Sequence, residues 1–193
     1  MATEPRQPNG ERWDYASLAL ARDEDLENVM RTGVRPSLAS LSGWEFRGFN
    51  TPAVLQLAGI RKFKKGFYRA DPSRPHDDGI QGYNVNIVQG MLGDPWIDRM
   101  KDGQPSRMGW YEVRYVSLTD ADNKYPNAAL IDYGASSKNF VADPTRLLRD
   151  YIVQVYPDNP DLVLGKAYLA FGPLRPFVAY FVLERHNRSD LPA

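Results

Sequence analysis

Apolar and polar residues alternate along most of the chain after residue 43. Tyr83, Val85 and Ile87 alternate with Asn84 and Asn86, and similar runs recur between segments rich in glycine and proline. A period of two is typical of β-strands. The pattern predicts strands at 44–50, 61–69, 82–89, 110–118, 128–133, 149–156, 162–171 and 177–185. About eight strands without long crossover helices predict a mainly β protein, either an antiparallel sandwich or a closed antiparallel barrel.

A short N-terminal helix precedes these strands. Leu26, Val29 and Met30 form one apolar stripe, with Asp23 as the predicted N-cap and Gly33 as the residue that ends the helix. A helix this short needs a surface to pack on. We expect it to cap one end of the sheet.

Two further segments predict single helical turns. Pro52 opens one turn that runs through Leu57, and a second covers 144–148, where Asp143 is the cap. The second turn is ambiguous, because 144–156 fits a helical period and is also rich in β-branched residues. We expect a turn followed by a hairpin. The loops at 70–82 and 90–109 are long enough either to form a lid or to be disordered.

No internal repeat or linker divides the chain. Residues 1–16 predict a flexible N-terminal segment, and 17–193 a single β-barrel domain. The polar, proline-containing N-terminus lacks the apolar core of a signal peptide. No run of 18 apolar residues occurs, so we expect no membrane association and a cytoplasmic location.

Composition excludes several functional classes. The chain has 193 residues and no cysteine, which rules out disulfides, cysteine metal ligands and a thiol nucleophile. Its 24 basic and 24 acidic residues balance, which argues against nucleic-acid binding. The basic run Arg61, Lys62, Lys64 and Lys65 is expected to protect a sheet edge from pairing. Aromatic residues reach 12% and suit either a sheet surface or the wall of a cavity.

Polar side chains occupy alternate positions on several strands. They include Arg47, Asn84, Asn86, Glu112, Arg114, Asp132, Asp150 and Gln154. In one interpretation they form a solvated outer face. In the other, they converge in the lumen of a barrel and orient a small molecule in a mostly apolar pocket.

Enzyme signatures are scarce. His76 and His186 lack metal-ligand spacing, and no metal site or cofactor is predicted. No phosphate-binding loop, dinucleotide fingerprint or nucleophile elbow is present. Glu112, Asp132 and Asp150 are candidate acid–base groups, although no spacing fixes their geometry.

A Gly-Trp pair opens the first core strand (Gly43, Trp44), an Asp-Tyr pair follows late in the chain (Asp132, Tyr133), and Arg185 ends the last strand. This arrangement resembles the lipocalin, or calycin, group of barrels. The resemblance implies a lipocalin-like closed barrel in which Arg185 stacks on Trp44 at one end. It also implies an interior that binds a small, largely apolar molecule.

The leading hypothesis is therefore the binding of a small hydrophobic or amphipathic molecule inside the barrel. The candidate ligand-binding residues are Arg47, Asn84, Asn86, Trp110, Tyr111, Arg114 and Tyr168. One alternative is an isomerase, cyclase or hydratase with Glu112 or Asp132 as the base and Arg114 or Tyr133 steadying an oxyanion. Another is an interaction module whose exposed aromatic residues contact a partner or form a homodimer.

Overall fold

A computed structural model describes residues 4–51, 60–71, 73, 75 and 79–192. Its centre is a closed, eight-stranded antiparallel barrel. The strands are β1 (Trp44–Asn50), β2 (Lys62–Tyr68), β3 (Ile80–Asn86), β6 (Arg107–Tyr115), β7 (Ala129–Asp132), β8 (Leu148–Tyr156), β9 (Asn159–Leu169) and β10 (Phe177–Arg188). A separate two-stranded hairpin, β4 (Met100–Lys101) and β5 (Gln104–Pro105), lies between β3 and β6. The predicted fold class, a mainly β closed barrel with a short N-terminal helix, is confirmed.

The barrel has up-and-down topology. Each barrel strand pairs with the next one along the chain, and β10 returns to pair with β1, with Gly48 opposite Leu183. Strands β1, β3, β7 and β9 finish at one end of the barrel, which we call the open end. We call the opposite end the closed end. The loop predicted at 90–109 lies at the open end, whereas that predicted at 70–82 lies at the closed end.

The closed end of the lumen is filled with side chains. Phe46, Phe67 and Leu183 belong to an interior cluster that also contains Leu38 and Leu41 from helix α3 (Leu38–Leu41). The Arg185 guanidinium lies 4.6 Å from the centroid of the Trp44 ring, and that of Arg188 lies 3.7 Å from it. The Trp44–Arg185 stack expected from the resemblance is therefore present at this end.

Two N-terminal helices cover the outside of the barrel. Helices α1 (Tyr15–Ala19) and α2 (Asp23–Thr32) bury Leu18, Leu26 and Val29 in a cluster with outward-facing residues of β8, β9 and β10. The prediction that α2 caps an end of the sheet is therefore wrong, because its apolar stripe matches the apolar outer face of these strands. Trp13 and Tyr15, within the segment predicted to be flexible, are buried in the same cluster.

Most predicted elements match the observed ones to within a few residues. The ambiguous segment resolves into a 3₁₀ turn at Pro144–Leu147, capped by the Asp143 side chain, followed by β8. The turn predicted from Pro52 to Leu57 lies outside the described residues. No helix in the part of the chain that the structure describes is long and apolar enough to cross a membrane.

The basic run on β2 does not protect a sheet edge. Strand β2 pairs with both β1 and β3, so a closed barrel leaves it no free edge. Lys62, Lys64 and Lys65 are only 1%, 3% and 2% exposed. The edge interpretation is wrong, because each ammonium is held by acceptors inside the folded protein rather than by water.

Candidate functional site: a cavity at the open end of the barrel

A cavity of about 570 Å³ occupies the lumen near the open end. Its lining comes from all strands of the barrel except β7 and from the loops at this end. The main apolar contributors are Phe63, Met108, Leu148, Ala167, Val178 and Phe181, and the polar ones include Asn50, Lys65, Asn84, Asn86, Arg99, Tyr133, Thr145 and Asp150. A volume of this size is typical of a small-molecule site.

Side-chain size explains why the lumen is open here and filled below. On β9, Val163 lies in the filled half, whereas Gly165 and Ala167 follow on the same face toward the open end. On β6, Gly109 stands at the start of the strand and Tyr111 comes next on the inner face. Small residues near the mouth therefore leave the space that larger residues occupy further down.

Lys65 and Asp150 form an ion pair in the wall of the cavity. The Lys65 Nζ lies 3.0 Å from Asp150 Oδ2, and the two side chains are 3% and 4% exposed. Nζ also donates to the Tyr133 hydroxyl and, at 3.1 Å, to Asn84 Oδ1. Three acceptors around one nitrogen match the three N–H donors of an ammonium group.

The Tyr133 hydroxyl connects the members of this cluster. It donates to Asp150 Oδ2 at 3.0 Å and accepts from Asn84 Nδ2 at 3.3 Å as well as from Lys65. Asn84 Nδ2 also donates to the carbonyl of Gly109 at 3.1 Å. We call Lys65, Asn84, Tyr133 and Asp150 the polar cluster.

Burial sets the electrostatics of this cluster. It lowers the pKa of Lys65 below its ordinary 10.5, and the neighbouring Asp150 carboxylate opposes that shift. It raises the pKa of Tyr133 well above the ordinary 10, and the Asp150 charge acts in the same direction. Tyr133 therefore remains a neutral hydroxyl throughout the physiological range.

Tyr111 supports the cluster from within the filled half. Its ring packs edge-on against Tyr133, with the centroids 5.2 Å apart. Its hydroxyl donates to the carbonyls of Gly66 and Tyr83, at 3.0 and 3.2 Å. Tyr111 is fully buried and holds the Tyr133 ring in place without lining the cavity itself.

One polar atom of the cluster has no partner. Asp150 Oδ1 is buried and makes no hydrogen bond with any residue that the structure describes. The other carboxylate oxygen, Oδ2, accepts from both Lys65 and Tyr133. The cluster therefore retains one unused acceptor, and a buried acceptor without a partner is costly.

Exposed apolar side chains lie in the loops and strand ends at the open end. They include Ile60, Met91, Ile97, Met100, Phe140, Val141, Phe171 and Leu174, and of these Ile60 lines the cavity. Phe140 and Val141 are the most exposed, at 88% and 93%.

Of the seven candidate binding residues, the structure brings two to the cavity wall. Asn84 belongs to the polar cluster, and Asn86 lines the cavity while its Nδ2 donates to Ser106 Oγ. Tyr111 lies in the lumen beneath them. Asn84 and Asn86 on β3 and Tyr111 on β6 all point into the barrel. The interpretation in which polar side chains converge in the lumen therefore holds for β3.

The other four candidates face outward. Arg47 pairs with Glu184, Arg114 pairs with Asp120, Trp110 packs on Tyr83 and Tyr68, and Tyr168 packs on Tyr151 and Tyr125. Each belongs to the outer face of its strand, so none lines the cavity. The solvated-face interpretation thus fits Arg47 and Arg114, while Trp110 and Tyr168 pack under outer loops and helices.

The candidate bases of the enzyme hypothesis also lie outside. Glu112 is exposed on the outer face of β6, and Asp132 pairs with Arg149 at 3.0 Å. Of that set, only Tyr133 reaches the cavity. Within the described residues, no group of three or more histidine or acidic side chains is placed to hold a metal ion.

The sequence interpretation missed Lys65 as a site residue and treated Asp150 only as a candidate acid–base group. A signal for Lys65 was present, because it stands between Phe63 and Phe67 on β2, and alternate residues of a strand share one face. A lysine of the same parity as two core phenylalanines points into the core. For Asp150 no such signal existed, since Tyr151, Val153 and Val155 favoured the opposite face as the interior.

Together these features define the class of the protein: a closed eight-stranded antiparallel barrel, consistent with a calycin-like fold, that contains a largely apolar cavity with a buried polar cluster. No protein-family model matches the chain, and no curated protein matches its sequence.

Proposed function

We propose that the protein binds a small hydrophobic or amphipathic molecule in the cavity of its barrel. The observation that carries this proposal is the cavity itself, whose walls are mainly apolar and four of whose polar residues form one hydrogen-bonded cluster. At about 30 Å³ for each non-hydrogen atom, the volume accommodates a ligand of roughly 20 such atoms. A largely apolar ligand with one polar group matches that distribution.

The exposed apolar groups at the open end support the same proposal. Neighbouring exposed apolar groups such as Phe140 and Val141 often mark a site of interaction. They lie at the end of the barrel that holds the cavity, where they can contact an apolar ligand outside the lumen.

The first experiment is native mass spectrometry of the freshly purified protein, compared with its denatured mass. We expect an additional mass that is lost on denaturation, which identifies the co-purified molecule. Titration with the fluorescent probe N-phenyl-1-naphthylamine then measures the affinity of the cavity for an apolar molecule. This measurement does not require that a natural ligand be retained.

A cavity-filling variant tests the location of binding. Ala167 lines the cavity, so Ala167→Phe places a ring in the space that the ligand would occupy. We expect probe affinity to fall by about tenfold or more, as expected when a ligand must displace a packed ring. The matched control Ala121→Phe changes an exposed residue near the closed end and should bind like the parent. Equal affinity of parent and Ala167→Phe would exclude the cavity as the binding site.

A further inference from the structure

The hydrogen bonds of the polar cluster limit the kind of polar group that a ligand can present. All three N–H donors of Lys65 are used, by Asp150, Tyr133 and Asn84. The amide hydrogens of Asn84 go to Gly109 and Tyr133, and the hydroxyl hydrogen of Tyr133 goes to Asp150. No donor in the cluster is therefore free.

The one polar atom of the cluster that has no hydrogen-bond partner among the described residues is an acceptor. Asp150 Oδ1 has no partner among the described residues, and Asp150 lines the cavity. The torsion that turns a carboxylate about its Cβ–Cγ bond has a broad energy profile, so a small rotation can turn Oδ1 toward the lumen. A ligand group that donates one hydrogen bond satisfies this oxygen.

Charge narrows the ligand further. The ammonium of Lys65 and the carboxylate of Asp150 lie side by side and neutralise each other. A cationic ligand group at Oδ1 would lie close to the ammonium, and an anionic one would meet a carboxylate with no free donor beside it. In a buried site both arrangements are unfavourable, whereas a neutral donor is not.

From these observations we infer that the ligand carries a neutral hydroxyl group on an apolar body, and that this hydroxyl donates to Asp150 Oδ1. The inference rests on the proposed function, because it names the chemical class of the molecule that the cavity takes. Fatty alcohols and phenols belong to this class, whereas a fatty acid or an alkyl amine would place a charge beside Asp150.

The test uses ligands of nearly equal size that differ in their polar group. 1-Decanol and its isomer methyl nonyl ether have the same atoms, but only the alcohol has a donor; decanoate and decylammonium add the two charges. Each ligand competes with N-phenyl-1-naphthylamine for the purified protein at pH 7. We expect decanol to bind about tenfold more tightly than the ether, as one hydrogen bond to a carboxylate predicts, and more tightly than either ion.

A double variant assigns the preference to the polar cluster. Lys65→Met with Asp150→Leu removes both charges together, a change that buried ion pairs often tolerate, whereas removing one charge alone strands the other. We expect this variant to lose the preference for decanol over the ether. The matched control removes a buried charge cluster on the outer face, Lys64→Met with Glu45→Leu and Asp98→Asn, and should retain the preference.

Each contrary result has a separate meaning. Equal affinities for decanol and the ether in the parent would overturn the hydroxyl inference while cavity binding stands. Tighter binding of decanoate or decylammonium, or a decanol preference that survives in the double variant, would also overturn it. If neither the probe nor any of the four ligands binds, the proposed function itself fails.

Discussion

At the scale of single residues, four glycines let aromatic rings lie against the barrel backbone. Each glycine directly faces or closely approaches an aromatic residue of the neighbouring strand. The pairs are Gly48–Phe63, Gly66–Tyr83, Gly82–Tyr111 and Gly165–Phe181. A Cβ at these positions would lie 2.0–2.4 Å from a ring atom, far inside contact distance. The glycines thus allow large rings to fold over the strands, a known way of stabilising glycine within curved sheets.

Two of these pairs predict different costs for the same substitution. In Gly82→Ala, the new Cβ meets the Tyr111 ring and also the Gly66 carbonyl oxygen at 2.5 Å. Hydrogen bonds fix Tyr111, and the carbonyl belongs to the sheet, so neither can withdraw. We expect a loss of about 3 kcal/mol in the free energy of unfolding, at the upper end of overpacking effects.

In Gly48→Ala, the three heavy atoms nearest the Cβ all belong to the Phe63 ring, which borders the cavity and can move into it. The expected loss is about 1 kcal/mol. Equilibrium unfolding in urea measures both variants against the parent. If the two substitutions cost the same, the space beside Phe63 does not relieve the strain as described.

Single residues also show the limit of prediction from sequence. The alternation of β3 correctly separated Asn84 and Asn86 from Tyr83 and Val85, because only one of its faces is polar. The alternation of β8 could not separate inside from outside, because both faces are buried: Ile152 in the lumen, Val153 under the helices. A strand that packs against the lumen on one side and against helices on the other is apolar on both faces. Its sequence pattern therefore does not show which face lines the lumen.

At the scale of elements, a partly buried polar contact fixes helix α2 to the barrel. Glu27 on α2 accepts from Lys166 Nζ at 2.6 Å, from the Tyr180 hydroxyl at 2.8 Å and from the Tyr125 hydroxyl at 2.9 Å. Burial by itself would raise the pKa of Glu27, but these hydrogen bonds outweigh it and lower the pKa from 4.5 to about 2.

This contact predicts how stability depends on pH. Because the pKa of Glu27 is lower in the folded protein, its contribution is complete above pH 4.5 and is lost as the pH falls toward 2. After allowance for solvent screening, we expect ionised Glu27 to contribute about 2 kcal/mol to the free energy of unfolding. Urea unfolding of parent and Glu27→Gln between pH 6 and about 2.5 should show the difference narrowing as the solution becomes more acidic.

The exposed residue Glu24 on the same helix provides the control. Glu24→Gln should stay close to the parent in stability, because the Glu24 side chain lies in water. A constant gap between parent and Glu27→Gln across the whole range would show that the hydrogen bonds to Glu27 do not depend on its ionisation.

Elements differ in how well the sequence predicts them. The barrel strands carry long alternating runs, and α2 has a full apolar stripe, so both were identified. Helices α1 and α3 have five and four residues, too few to show a period. Helices this short are stable only when they pack on the folded barrel. Their own residues do not indicate that packing surface, so the sequence does not predict them.

At the scale of the whole molecule, the first and last barrel strands close the structure. Arg185 on β10 contacts the rings of Trp44 and Phe46 on β1, at 4.6 and 5.3 Å, and its Nε lies 2.5 Å from Asp161. On the outer face, Arg47 of β1 pairs with Glu184 of β10. These contacts reinforce the hydrogen bonds between the two strands at the closed end.

We therefore expect Arg185→Ala to lower the stability of the barrel without changing ligand binding. Because the cation–π contacts are lost, we expect the free energy of unfolding to fall by about 1–2 kcal/mol. Thermal melts measure the first effect, and titration with N-phenyl-1-naphthylamine the second, because the cavity lies at the opposite end. Arg22→Ala, at a site 69% exposed, is the control. Coincident melts of Arg185→Ala and the parent would show that the stack contributes nothing.

The pairing of β1 with β10 also affects the chain while it is being made. Arg47 and Glu184 are 137 residues apart, so β1 leaves the ribosome long before its second neighbour exists. Until β10 emerges, β1 and β9 are open edges, and open edges pair with other chains. The barrel can close only after synthesis of its last strand, which makes the nascent chain, rather than the finished protein, the form most exposed to aggregation.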